Sequence, residues 1–189
     1  MDLHEPTGRP PFAARLVVTR PIVLIGLMGV GKSTVGKRLA MRLGLPFVDS
    51  DDEIEEVSGY SIAEMFARFG EESFRDGERR VVRRLIDGGP KVMATGGGVF
   101  VNPQTRAAIL ERTTAVWMDA DVAVLAERVR RRDTRPLLRG QDAGAVLTRL
   151  AAERRPVYEQ AHLHVRTQAV PHARAVDAIM AALRGWHGL

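Results

Sequence analysis

Short apolar runs alternate along this chain with longer stretches in which apolar residues recur at helical spacing, from residue 21 almost to the end. Pro21-Ile22-Val23-Leu24-Ile25 is a run of strand length, and residues 34–43 then place Val35, Leu39 and Leu43 on one helical face. Leu45-Pro46-Phe47-Val48 predicts a second strand ending at Asp49, and residues 52–57 predict a helix stopped at Gly59. Ser61-Ile62-Ala63-Glu64 has capping-box spacing and opens a short helix closed by Gly70. A longer helix over 71–86 ends at Gly88-Gly89, and a third strand over 91–94 runs into Thr95-Gly96-Gly97-Gly98. A helix over 103–111 starts at proline, the strand Thr114-Ala115-Val116-Trp117-Met118 runs into Asp119, and Asp121 caps a helix over 122–129. Beyond an arginine-rich stretch over 130–142, broken by Pro136 and Gly140, come a helix over 143–153 and a short strand over 163–166. The last helix, 171–183, carries Val176, Ile179, Met180 and Leu183 on one face. Strands alternating with helices predict right-handed crossovers and a mainly parallel sheet covered on both sides, an α/β three-layer sandwich. Ligands in such sheets sit at the carboxyl ends of the strands.

Bulk properties narrow the classes. A chain of 189 residues, 45% hydrophobic, suits one compact domain. Residues 1–20 hold Asp2, Glu5 and several prolines but no apolar core, and read as a flexible extension before a single domain over 21–189. Having no cysteine, the chain forms no disulfide, thiolate zinc site or cysteine nucleophile. Its longest apolar stretch, about ten residues around 22–30, is too short to span a bilayer, and a cytoplasmic monomer with no membrane partner is expected. The net charge of +5 and pI near 10.3 raise nucleic acid as a partner. Yet the basic residues are spread out, only Arg130-Arg131-Arg132 is dense, and no aromatic-interleaved basic stripe accompanies it. Phosphorylated small molecules explain the charge equally well, so no nucleic-acid partner is expected.

One motif carries chemistry directly. Gly26-Leu27-Met28-Gly29-Val30-Gly31-Lys32-Ser33-Thr34 fits G-x-x-x-x-G-K-[ST] between a strand and a helix, the context a phosphate-binding loop needs. Glycines let successive N–H groups point inward at phosphate oxygens, and the following helix presents its positive end. In that arrangement Lys32 reaches the outer phosphates and the Ser33 hydroxyl ligates Mg²⁺.

Further features lie at strand ends and in loops. Asp49 and Asp51 leave the second strand together; one could hold Mg²⁺ through water while the other accepts a hydrogen bond from an alcohol, or Asp51 could simply cap the next helix. Arg75 and Glu78 are spaced i, i+3 on a helix, a pair that is ordinarily a solvated surface contact. Gly96-Gly97-Gly98 either lets backbone approach a ligand or forms a flexible turn. Arg135-Pro136-Leu137-Leu138 and Arg154-Arg155-Pro156-Val157-Tyr158 add cations.

Taken in order, GLMGVGKST, FVDSD, FRDGE, GGG, RPLL and RRPVY form a set that resembles shikimate kinase, from about residue 22 to the last helix. The resemblance implies a nucleoside-monophosphate-kinase-like P-loop fold around a five-stranded parallel sheet. It implies ATP- and Mg²⁺-dependent phosphorylation of the 3-hydroxyl of shikimate, in aromatic amino-acid biosynthesis. Carried onto this sequence, Met28, Gly29, Val30, Gly31, Lys32, Ser33 and Thr34 bind the nucleotide, and Arg128 lies against adenine. By the same resemblance Asp51 binds the shikimate hydroxyls as candidate base, Arg75 and Arg154 grip the carboxylate, and Gly97 contributes backbone. Arg135, from a lid around 130–142, reaches the transferring phosphate; Asp49 lies near Mg²⁺ with Ser33, and Glu78 braces Arg75. Two features depart from the family: His162 stands where an Asp is frequent, and residues 167–171 offer no obvious polar contact to adenine. All five histidines fall outside the motifs and are expected as surface residues or local caps. Rival readings are a kinase for quinate or gluconate, and a nucleotide-dependent or nucleic-acid-binding module without catalysis.

Overall fold

The computed structural model describes residues 16–130, 142–167 and 171–186. Strand β1 (Ile22–Ile25) is buried along its whole length, as a run of four branched aliphatic residues in the middle of a parallel sheet must be. It leads through the glycine loop into α1 (Lys32–Leu43), which ends at Gly44 in the left-handed conformation. Strand β2 (Phe47–Asp49) starts later than its sequence pattern suggests, because Pro46 has no N–H to donate to the ladder. Then come α2 (Ser50–Ser58), α3 (Ile62–Ile86) and β3 (Val92–Ala94). A 3-10 turn at Val99–Val101 precedes α4 (Pro103–Arg112), β4 (Thr114–Asp119) and α5 (Val122–Arg130). Helix α6 (Ala143–Tyr158), β5 (Leu163–Arg166) and α7 (His172–Arg184) complete the chain.

All strand pairs are parallel and the order is β2-β3-β1-β4-β5. The chain leaves β1 in one direction to reach β2 and then returns across the sheet. Right-handed crossovers therefore send α1 to one face and the helices after β2, β3 and β4 to the other. The packing agrees: α1 lies with α7 against the sheet, while α3 lies beside α4. These three layers enclose a core that includes Leu24, Met93, Val116, Leu147 and Ile179. Leu16 and Val18, ahead of β1, rest partly buried against it.

Two helices differ from their sequence patterns in ways that matter below. The short and long helices expected on either side of Gly70 abut without a loop, and Gly70 itself is non-helical at φ 78°, ψ 170°. Helix α6 does not stop at Glu153 but continues through Pro156 to Tyr158. A proline there removes only one bond in the last turn, and the buried Leu147, Leu150 and Tyr158 hold that face down. Among the described residues, no helix is long and apolar enough to cross a membrane.

Candidate active site

Everything converges at the carboxyl ends of β1, β2 and β3. The glycine loop follows β1, the sheet's switch point, with β3 on one side and β4 on the other. Gly26 has φ 140°, and a Cβ there would stand 2.4 Å from the Met118 carbonyl oxygen of β4, so only glycine fits. Helix α1 has no acidic residue in its first turn and no side-chain cap at Gly31, which leaves its positive end for an anion. Lys32, mostly buried, donates to the Gly26 and Leu27 carbonyls at 2.8 and 3.0 Å. On the loop's flank, Arg128 Nη1 donates to the Gly29 carbonyl at 3.5 Å.

Asp49, not Asp51, caps α2. Its Oδ1 accepts the Asp51 N–H at 3.1 Å, and its Oδ2 accepts the Ser33 hydroxyl at 2.5 Å. One carboxylate thus ties the end of β2 to the first turn of α1. Asp51 lies in the first turn of α2, half-buried and facing the glycine run after β3. Its neighbour Asp52 has its carboxyl raised by burial and then by the charge of Asp49.

The run Gly96-Gly97-Gly98 is neither a loose turn nor one of the positive-φ positions of this backbone. Space is the reason for it. A Cβ at Gly96 would meet Asp51 Oδ1 at 2.9 Å and Glu78 Oε1 at 3.2 Å. At Gly97 it would meet Arg154 Nη1 at 3.2 Å, and at Gly98 Arg75 Nη1 at 2.8 Å. Each glycine makes room for a different polar side chain, and any larger residue would push that group aside.

Arg75 and Glu78 depart from the solvated pair their spacing suggests. Glu78 is only 5% exposed and accepts from Arg75 Nη1 at 2.9 Å, while Glu71 accepts from Nη2 at 3.3 Å. Burial pushes the Glu78 carboxyl up against the opposing pull of Arg75. For Arg75, burial works against the charge, and the two glutamates more than offset it. Its guanidinium also lies 5.2 Å from the centre of the Phe74 ring.

These groups line one cavity of about 440 Å³ that reaches from Met28 of the phosphate loop, past Asp51 and Gly96–Gly98, to Arg75 and Arg154. Phe66 and Phe74, with ring centres 4.6 Å apart, form its apolar side. Arg154 is anchored by Nη1, which donates to the Gly97 carbonyl at 2.8 Å. Of the site residues expected from sequence, Arg135 lies outside the described residues. Phe66, Phe74 and Tyr158 were not among the expected ones. Phe74 and Tyr158 do fall inside the FRDGE and RRPVY motifs, but Phe66 is joined to them only by the fold. Among the described residues, His162 Nδ1 accepts the Ala115 N–H at 3.0 Å, and His164 stacks on Trp117 at 4.0 Å.

A family model described as shikimate kinase matches residues 28–184. A shikimate kinase of Caulobacter vibrioides is 58% identical over 89% of this chain and 84% of its own length. One from Rhodopseudomonas palustris is 50% identical over 95% of this chain and 90% of its own. Among solved structures, shikimate kinase from Acinetobacter baumannii in complex with shikimate superposes with a TM-score of 0.85 at 34% identity. That match covers 88% of this chain and 93% of the other.

Proposed function

Because this chain belongs to the shikimate kinase family, we propose that it transfers the terminal phosphoryl group of ATP to the 3-hydroxyl of shikimate, a step of aromatic amino-acid biosynthesis. One observation carries the assignment of roles. A single cavity joins Met28 of the phosphate loop to Asp51 and to the guanidiniums of Arg75 and Arg154. An acid acceptor fits it with the carboxylate on the arginines, the ring against Phe66 and Phe74, and a hydroxyl at Asp51.

In this reading the loop from Met28 to Thr34 wraps the phosphates, and Lys32 exchanges two backbone carbonyls for phosphate oxygens. The acceptor oxygen attacks the terminal phosphorus, the bond to the bridging oxygen of ADP breaks, and the hydroxyl proton passes to Asp51. Little covalent help is needed, because phosphoryl transfer depends on alignment and on neutralising charge as it shifts. Arg75 and Arg154 supply the alignment, since a guanidinium fork can hold both oxygens of a carboxylate. Arg128 lies toward the base, and Arg135 acts on the transferring phosphate.

Mg²⁺ suits the donor set. The Ser33 hydroxyl and Asp49 carboxylate are hard oxygen donors already joined at 2.5 Å, and Mg²⁺ keeps most of its remaining positions for water and phosphate. Held by Ser33 and Asp49, the ion would offset the negative charge of the phosphates. The same reading makes the protein a cytoplasmic monomer that binds neither nucleic acid nor membrane. Among the described residues, arginines are drawn into scattered ion pairs such as Arg84–Glu53 and Arg112–Asp87.

The test is ADP release by purified protein with ATP, Mg²⁺ and one of shikimate, quinate, gluconate or a nucleoside monophosphate. Shikimate is expected to give the highest kcat/KM. Turnover with another acceptor and none with shikimate would overturn the assignment.

A further inference from the structure

Resting on the reading that Arg154 binds the acceptor carboxylate, we propose that Tyr158 is a positioning residue for that arginine, acting through the carbonyl of Gly97. Arg154 and Tyr158 are one helical turn apart on α6 and so share a face. Both aim at one acceptor: the Tyr158 hydroxyl donates to the Gly97 oxygen at 2.5 Å, and Arg154 Nη1 donates to it at 2.8 Å. A carbonyl oxygen has two lone pairs, and here both are engaged.

The two donors are not equivalent. Tyr158 is 2% exposed, its ring packed between Phe100 and Trp117 with centres 6.5 and 6.0 Å away. That packing leaves the phenol no other place to go. Burial pushes its hydroxyl up from the ordinary value against the opposing pull of the adjacent Arg154, so it stays a proton donor through the neutral range. Arg154 ends a long flexible stem at the edge of an open cavity. Tyr158 therefore sets the carbonyl, and the carbonyl sets the arginine.

Gly97 needs such a setting. The N–H of Gly96 donates to Ser50 Oγ at 3.3 Å. The carbonyls of Gly96 and Gly98 accept from Val99 and Val101 at 3.2 and 3.0 Å. Between these pinned neighbours the Gly97 peptide has no side chain to hold it, and its orientation follows what its oxygen accepts. A guanidinium is planar, so directing one N–H at a fixed oxygen directs the rest of the fork. Without the phenol the peptide can turn, and the plane that Arg154 offers to a carboxylate turns with it.

Tyr158→Phe keeps the ring and removes only the donor. The expected result is a shikimate KM raised roughly ten-fold, the order of one weakened charge-assisted hydrogen bond from Arg154 to the carboxylate, with ATP KM and thermal midpoint close to wild type, because the Gly97 oxygen keeps Arg154 as a donor. Tyr158→p-aminophenylalanine, whose amine can donate the same bond, is expected to recover the shikimate KM. In an Arg154→Ala background, adding Tyr158→Phe is expected to lower shikimate kcat/KM no further, because nothing is left to position. Multiplying effects of the two substitutions would overturn the proposal. So would a Tyr158→Phe variant that weakens both substrates alike along with its midpoint, which is the mark of a merely structural residue. Should Arg154→Ala impair shikimate while Tyr158→Phe does not, the role of Tyr158 falls alone. If Arg154→Ala leaves the shikimate KM unchanged, the carboxylate reading falls and the proposal with it.

Discussion

Arg75 shows what one side chain can gain from its surroundings. On a solvated helix, its spacing from Glu78 would make a pair worth well under 1 kcal/mol. Here Glu78 is buried, Phe74 lies beneath the guanidinium, and Gly98 leaves space for it. The arginine is therefore oriented before any ligand arrives. Arg75→Ala is expected to raise shikimate KM roughly 10- to 100-fold, the scale of a lost charge-assisted hydrogen bond, while ATP KM stays within about two-fold. The substitution also strands Glu78, whose carboxyl burial already pushes up. With its cation gone, the folded-state value rises further above the unfolded one. Such a group favours the folded state below the ordinary glutamate range and loses that contribution as pH climbs through the folded value. Denaturant titrations at pH 5 and pH 8 should show the variant closer to wild type at the lower pH. Equal deficits at both would mean that Glu78 does not take up a proton. Residue types were readable from the motifs, but the burial that gives Glu78 its leverage was not, because exposure depends on what another element covers.

At the level of elements, local signals marked most boundaries. Ser61 and Glu64 form the reciprocal capping box, and Asn102 caps the helix that Pro103 begins. The helix expected over 143–153 runs on through Pro156 to Tyr158, since a proline's local penalty is offset when the rest of the turn is packed. That extension matters, because it puts Arg154 and Tyr158 on one helical face. His162 shows an element held in place by a side chain. Its Nδ1 accepts the N–H of Ala115 in β4, and its pKa is lowered, chiefly by burial and then by Arg20. A neutral imidazole is required, because protonation would replace the acceptor with a donor. Since the folded-state value lies below the unfolded one, this stabilisation is complete above about pH 6.5 and fades as pH falls through the folded value. His162→Asn, whose amide oxygen can accept the same bond, is expected to flatten the fall in denaturation midpoint between pH 7 and pH 5. An unchanged slope would show that the dependence comes from elsewhere. An aspartate at this position could accept that N–H as well.

For the molecule as a whole, the nucleotide end can be tested through stability. A ligand at about 100 times its Kd stabilises the folded state by about 2.7 kcal/mol, or roughly 5–10 °C in a domain of this size. Wild-type protein with saturating ATP and Mg²⁺ should show such a rise in thermal midpoint, and Lys32→Ala should lose most of it. A variant that kept the full shift would mean that Lys32 does not engage the phosphates. What residue order alone established is short in range: the strand and helix periods, the caps, and the phosphate loop, whose geometry is built by nine consecutive residues. These depend on backbone sterics and on contacts within a few positions, so they are written locally. The polar cavity was not. Asp51, Arg75, Gly96–Gly98 and Arg154 come from four separate elements, and only the β2-β3-β1 strand order with its crossovers brings them together. Nor did three adjacent glycines reveal whether they served freedom or space. That answer lay in the atoms of Asp51, Arg154 and Arg75 pressing against them, which packing alone supplies.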